Sequence, residues 1–186
     1  MKNLFSRKEM TSLNVKAIKK CGVTPEDIAE IAYNQQKKYN MDIKFETCLE
    51  SVYKVLSLRD IFHIVQVGLE LDRLANENKL SEPAQSIIKS DLGVFGLDEV
   101  FGIAIAGIYG VIGETNFGDI DVNKPGIIRE IDDRGGEKCS TFLDDIVGAI
   151  AAAASTRVAQ IVSEDNATRD VNETDTFTIF DFEEII

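Results

Sequence analysis

The sequence predicts an all-α fold, a single-domain helical bundle around a buried central pair of helices. Two observations indicate this class. Apolar residues recur at the three- and four-residue spacing of amphipathic helices along much of the chain. Two stretches, residues 100–113 and 146–154, contain no charged side chain. Because a helix that is apolar on every side must be buried, these stretches are expected to form the centre of the bundle.

The part of the chain before residue 97 is expected to hold four helices. Thr24 is a suitable N-cap for the first of them, and Pro25 suits its first helical position. The second is predicted over Phe45–Leu56 and the third over residues 58–77, where branched apolar residues form a broad stripe. A short fourth helix is predicted over residues 83–88, because it begins at a proline.

The two central helices are predicted over residues 97–112 and 141–162. Each carries small residues at four-residue spacing, which lets the backbones of packed helices approach closely. These residues are Gly102, Ala106 and Gly110 in one helix and Gly148 and Ala152 in the other. We therefore expect the two helices to pack against each other.

The remaining segments are predicted to be less regular. Residues 114–139 are polar and rich in glycine, which predicts a long loop, and loops of this length are often functional. We place the domain boundary after residue 163, giving a helical domain over 1–163. Residues 164–186 are acidic and are expected to form a loosely held tail, in which 176–180 could form a short strand.

The bulk composition limits the classes of partner and compartment. The formal net charge of −12 argues against nucleic acid as a partner. Cys21, Cys48 and Cys139 are too few and too scattered for a disulfide framework, which favours a reducing compartment. The longest charge-free apolar run has 14 residues, whereas a membrane-spanning helix needs about 20. We therefore expect a cytoplasmic protein with at most peripheral membrane contact.

Two acidic pairs stand at the beginnings of the two apolar helices. Asp98 and Glu99 begin one helix, and Asp144 and Asp145 begin the other. If those ends meet, four carboxylates crowd together and either raise one another's pKa values or recruit a cation. Hard cations such as Mg²⁺ prefer oxygen ligands of this kind. Alternatively, each acid is an ordinary partner of the helix dipole, worth about 0.3–1 kcal/mol.

Three motifs, in this order, resemble those of the phosphatidylglycerophosphatase A family. They are the D-E-x-x-G segment at residues 98–102, the D-x-x-K-P segment at 121–125 and the D-D-x-x-G segment at 144–148. Asp91 and Asp132 also match aspartates of the family. The glycine-rich segment that family enzymes usually carry near the N-terminus has no counterpart here, and glycines replace an arginine and an aromatic residue at 118 and 126.

The resemblance implies a Mg²⁺-dependent phosphatase that removes the terminal phosphate of phosphatidylglycerophosphate. It implies metal binding by Asp98, Glu99, Asp144 and Asp145. It implies catalytic roles for Asp121, Lys124, Asp144 and Asp145. The nucleophile is either water, with an aspartate as general base, or an aspartate itself.

Two functions follow from these patterns. The first is a Mg²⁺-dependent phosphomonoester hydrolase of lipid metabolism, acting on a phosphorylated small molecule or a lipid headgroup. The alternative is a non-catalytic or regulatory helical oligomer that keeps the family's metal site. In either case we expect a homo-oligomer.

Overall fold

The computed structural model describes residues 4–91, 96–132 and 138–168. Within these ranges the chain forms nine α-helices, one 3-10 turn and no strand, which confirms the all-α prediction. The helices are α1 (Arg7–Lys20), α2 (Pro25–Lys37), α3 (Phe45–Leu56), α4 (Arg59–Asn76), α5 (Ala84–Ser90), α6 (Leu97–Ala106), α7 (Val111–Asn123), α8 (Ile127–Asp132) and α9 (Leu143–Thr168). The 3-10 turn, Gly107–Tyr109, lies between α6 and α7.

The first two helices begin with reciprocal capping boxes. Thr24 accepts a hydrogen bond from the amide of Asp27, and the Asp27 carboxylate accepts one from the amide of Thr24, so the predicted cap is confirmed. The sequence did not predict α1, whose exposed face is largely polar. Its buried Asn14 holds it to the bundle by donating to the Leu56 carbonyl at 2.9 Å.

The core of the bundle is built around α9. Residues 146–154 of this helix are all buried, and α2, α3, α6 and α7 pack around it. Gly148 allows α7 to approach closely, because a Cβ there would lie 3.2 Å from the Ile120 side chain. The predicted contact between α6 and α9 is present.

The burial of α6 is one-sided. Ile105 is fully buried, whereas Val100 and Ile103 are 55% and 47% exposed. The helix predicted over 97–112 also ends earlier, at Ala106, and the chain turns at Gly110, where φ is 85°. This turn lets α7 fold back across α6 instead of continuing it.

The predicted loop over 114–139 is wrong for most of its length. Residues 111–123 and 127–132 form α7 and α8. Their apolar side chains at helical spacing are buried, namely Phe117, Ile120, Ile128 and Ile131. Burial of these side chains outweighs the weak helix propensity of glycine, which the loop prediction had emphasised. Residues 133–137 lie outside the described residues.

At its C-terminal end, α9 runs to Thr168 rather than ending near residue 162. The boundary after residue 163 stays a prediction, and residues 169–186, including the predicted strand, lie outside the described residues. Among those that are described, Leu143–Glu164 is long and apolar enough to cross a membrane, but 67% of its most apolar window is buried within the fold. Here it serves as the central core helix.

Candidate metal centre

The first turn of α6 carries two carboxylates, each with one buried oxygen that has no hydrogen-bond partner among the residues the structure describes. The helix begins after Gly96 in a left-handed conformation, with φ of 73°, and no side chain caps it. Asp98 is 8% exposed. Its Oδ1 atom and the Oε2 atom of Glu99 are both buried and unpartnered. Leaving such an oxygen unsatisfied costs about 1–3 kcal/mol, so the site has capacity for a further ligand.

Asp145 of α9 joins this pair. One carboxylate oxygen from each of Asp98, Glu99 and Asp145 lies within 4.8 Å of the others. Burial, with the neighbouring Glu99 carboxylate, raises the pKa of Asp98 to about 7. Burial, followed by the charges of Asp144 and Asp121, raises the pKa of Asp145 to about 8. Without a cation, this cluster therefore retains protons near neutral pH.

Lys124 supplies the positive charge beside the cluster. It terminates α7 in a left-handed conformation, with φ of 43°, and Pro125 prevents the helix from continuing. Its Nζ atom donates to Asp121 Oδ1 at 2.7 Å and to Asp144 Oδ2 at 2.9 Å. Burial alone would lower the pKa of Lys124, but the two carboxylates outweigh it and raise the pKa above its ordinary value. The lysine is thus fixed in the charged form.

The structure separates the four acids predicted as metal ligands into two groups. Asp98, Glu99 and Asp145 converge, whereas Asp144 turns its carboxylate to Lys124. The four residues predicted as catalytic, Asp121, Lys124, Asp144 and Asp145, lie together. Lys124 bridges Asp121 and Asp144, and Asp145 interacts electrostatically with both Asp121 and Lys124.

Asp91 and Asp132, the two further aspartates of the resemblance, lie at the border of this site. Asp91 ends α5 in a left-handed conformation. Partial burial raises the pKa of its carboxyl group, which interacts with the charges of Lys124, Asp132 and Glu99. Asp132 is exposed at the end of α8. Both therefore add negative potential around the lysine.

Sequence reasoning missed Asp72, a buried carboxylate of α4 that is 5% exposed. It accepts hydrogen bonds from the amides of Phe142 and Leu143, where α9 begins. The Thr141 hydroxyl, just before α9, donates to the Ile88 carbonyl. The detectable signal for Asp72 is an acidic residue three positions after the buried Leu69, on an otherwise apolar helix face.

Fold and site together define a class: helical domains in which buried carboxylates meet at the first turns of two packed helices, beside one lysine. A family model described as phosphatidylglycerophosphatase A matches residues 27–160. The chain belongs to this family.

Proteins from Bacillus and Listeria are similar to this chain in sequence or in fold. The uncharacterized Bacillus subtilis protein YutG is 47% identical over 142 residues, which cover 76% of this chain and 86% of that protein. The crystal structure of the low temperature requirement C protein from Listeria monocytogenes matches with a TM-score of 0.82 and 39% identity, covering 85% of this chain and 99% of that one. The crystal structure of Bacillus subtilis YpjQ matches with a TM-score of 0.81 and 42% identity, with coverages of 86% and 99%.

Proposed function

We propose that this protein is a Mg²⁺-dependent phosphomonoester hydrolase that acts on phosphatidylglycerophosphate or a closely related phosphorylated headgroup. One observation carries the proposal. Asp98, Glu99 and Asp145 converge from two helices, and two of their buried oxygens lack a partner. Carboxylate oxygens are the ligands that Mg²⁺ prefers, and membership of the phosphatidylglycerophosphatase A family supports a phosphate ester as substrate.

The donor set fits a magnesium ion. Asp98, Glu99 and Asp145 would hold it, with Asp144 as a further ligand if its carboxylate turns away from Lys124. Burial, together with the charges of neighbouring carboxylates, raises the pKa values of Asp98 and Asp145, and a bound cation would counter this by favouring their ionised forms. When bound, the ion neutralises charge that develops on the phosphate oxygens.

The neighbouring residues suit the other tasks of phosphoryl transfer. Lys124, held in the charged form between two carboxylates, is placed to attract the phosphate group and offset its charge. The Asp121 side chain is 34% exposed, compared with 10% for Asp144. We assign Asp121 the role of accepting the proton of the attacking water, because it is the more accessible carboxylate beside the lysine.

An exposed apolar strip supports a substrate at a membrane surface. This strip is the segment of the chain from α6 to the first turn of α7, along which Leu97, Val100, Ile103, Ile108, Val111 and Ile112 are each exposed. It begins next to Asp98 and Glu99 and contains no charged residue from 100 to 112. A strip of this kind suits peripheral contact with lipid, so we place the protein in the cytoplasm and, during turnover, at the membrane.

The same strip supports the alternative function. Exposed apolar surface also marks protein–protein contacts, and the alternative is a homo-oligomer that binds the ion for regulation without turnover. The two functions differ in one measurable property, which is the release of phosphate.

The test is phosphate release from phosphatidylglycerophosphate in mixed micelles and from an aryl phosphate, each with and without Mg²⁺. We expect Mg²⁺-dependent release from the lipid and slower release from the aryl ester. Asp145→Asn should abolish both turnover and Mn²⁺ binding. Asp121→Asn should reduce kcat by about 100-fold or more while Mn²⁺ binding persists, because it removes a general base.

The matched control is Asp119→Asn. Asp119 is an exposed carboxylate on the same helix as Asp121, and its Oδ1 atom accepts a hydrogen bond from Asn123 Nδ2. This variant should retain full turnover. If wild-type protein binds Mn²⁺ but releases no phosphate from either substrate, the enzyme proposal fails and the regulatory function replaces it.

A further inference from the structure

The strongest unassigned feature is the way α4 holds the start of α9. Asp72 Oδ2 accepts the amide hydrogens of Phe142 at 3.2 Å and Leu143 at 3.0 Å, and its Oδ1 also lies 3.2 Å from the Phe142 amide. The first amides of a helix have no partner within the helix itself. A carboxylate from another helix therefore caps α9 one residue before Asp144 and Asp145.

Asn76, one turn further along α4, binds the same segment. Its Nδ2 atom donates to the Cys139 carbonyl at 2.9 Å, and its Oδ1 atom accepts from the Cys139 amide at 2.8 Å. A third bond, from Nδ2 to the Asp72 carbonyl at 2.8 Å, fixes the Asn76 side chain itself. Residues four apart share one face of a helix, so Asp72 and Asn76 form a single two-point anchor.

The anchored segment leads directly into the carboxylate centre. Further attachments run through Thr141, whose hydroxyl donates to the Ile88 carbonyl at 2.7 Å, and Ser140, whose hydroxyl donates to the Ile131 carbonyl at 3.4 Å. The Cys139 thiol also donates to the Ile88 carbonyl at 3.4 Å and to Asp72 Oδ1 at 3.7 Å. The Asp144 amide bonds back to the Ser140 carbonyl at 3.4 Å. The orientation of the first turn of α9 thus depends on how this segment is held.

We propose that Asp72 and Asn76 are positioning residues for the carboxylate centre. They fix residues 139–143 and thereby hold Asp144 against Lys124 and Asp145 against the α6 pair. The claim that this placement governs cation affinity rests on the proposed function, whereas the claim that the anchor orders the first turn of α9 does not. Metal affinity typically falls by about 10- to 100-fold when residues that hydrogen-bond to the metal ligands and orient them are removed.

The experiment compares Asp72→Ala, Asp72→Asn and Asn76→Ala with a control elsewhere on α9. Ser155→Ala is that control, because it removes a buried hydrogen bond from Gln36 to the same helix, far from the first turn. Two quantities are measured. The first is amide hydrogen exchange of a peptide covering residues 142–147 without metal, and the second is Mn²⁺ affinity by titration.

We expect Asp72→Ala to speed exchange of this peptide about tenfold and to weaken Mn²⁺ binding about 10- to 100-fold. Asp72→Asn keeps one acceptor oxygen for the amides, so its effects should be much smaller. The effects of Asn76→Ala on exchange and on Mn²⁺ affinity should lie between those of Asp72→Ala and Asp72→Asn. Ser155→Ala should lower the melting temperature but leave both measured quantities unchanged.

Three outcomes would overturn the proposal. If Asp72→Ala and Ser155→Ala behave alike, Asp72 contributes only stability. If Asp72→Asn weakens Mn²⁺ binding as much as Asp72→Ala does, the charge of Asp72 acts at a distance rather than through its hydrogen bonds. If Asp72→Ala does not fold, unchanged exchange in Asn76→Ala refutes the anchor. Wild-type protein that does not bind Mn²⁺ overturns the proposed function, and the exchange measurement then decides the anchor separately.

Discussion

Helices α6 and α9 share one sequence plan but occupy different environments. Each begins with two acidic residues and continues as an apolar run. In α9 the apolar run is buried on all sides, and the acidic turn is capped by Asp72 and paired with Lys124. In α6 one face is exposed, no side chain caps the helix, and the acids leave buried oxygens unpartnered.

The two helices contribute to different properties of the protein. The apolar part of α9 supplies core packing, and its first turn is held by neighbouring helices. The first turn of α6 contributes two carboxylates, each with one buried oxygen that has no hydrogen-bond partner among the described residues, and such an oxygen is costly unless a ligand completes it. One sequence pattern therefore yields a structural helix in one place and, in our proposal, half of a binding site in the other.

The largest expected contrast lies in the apolar faces. Ile146 on α9 is fully buried, and Ile103 on α6 is 47% exposed. Ile146→Ala should destabilise the fold by about 2–5 kcal/mol through the lost burial and the cavity left behind. Ile103→Ala should stay within about 0.5 kcal/mol. Chemical denaturation measures both, and equal losses would mean that the outer face of α6 is covered in solution.

The next contrast concerns glycines that allow close approach. A Cβ at Gly102 of α6 would lie 2.3 Å from the Phe117 ring, whereas one at Gly118 of α7 would meet nothing within 4 Å. Gly102→Ala should cost about 1–3 kcal/mol through overpacking. Gly118→Ala should stabilise the protein by about 0.5–1 kcal/mol, because alanine favours the helix. Thermal melts of the two variants should therefore shift in opposite directions.

Neutralising one acid on each helix should change the stability of the metal-free protein in opposite directions. Above pH ~7, where Asp98 is ionised, Asp98→Asn removes a buried negative charge beside Glu99 and should raise the stability of the metal-free protein by about 1 kcal/mol. Asp144→Asn weakens the bond with Lys124 and should lower it by a similar amount. Melting curves without metal measure both effects.

Millimolar Mg²⁺ sharpens the same comparison. The ion should stabilise the wild type, by about 2.7 kcal/mol at a hundredfold excess over Kd, and should stabilise Asp98→Asn much less. If the ion does not shift the wild-type midpoint, the metal-centre interpretation fails. If it shifts both proteins equally, Asp98 is not a ligand.

The smallest expected effect is the pH dependence of the stability that Asp98→Asn adds to the metal-free protein. Because the pKa of Asp98 is raised to about 7 in the folded protein, the folded state holds a proton that the unfolded state releases above pH ~4. Stability contributed by this carboxyl therefore falls as pH rises from ~4 to 7. The gain from Asp98→Asn should be full at pH 8.5 and smaller at pH 5. A gain that does not vary with pH would contradict the raised pKa.

Much of the fold was predictable from local pattern. The cap at Thr24, the helix Phe45–Leu56 and the apolar stripe of α4 were read correctly, because spacing and capping are local properties of the chain. The sequence predicts a loop where most of α7 and all of α8 form, because these helices are stabilised by burial against α9, which glycine content does not reveal. The break at Gly110 was missed for the same reason, since it depends on α7 folding back over α6.

The sequence by itself determined the fold class, the residue types of the carboxylate centre and the order of its motifs, because apolar periodicity and acidic pairs are local features of the sequence. Only the tertiary structure decided which acids converge. Asp98, Glu99 and Asp145 meet, while Asp144 pairs with Lys124. It also placed Asp72 behind them, 70 residues away along the chain from Phe142. These pairings depend on the angle and height at which helices pack, and that is set by the many side chains of the core rather than by any local motif.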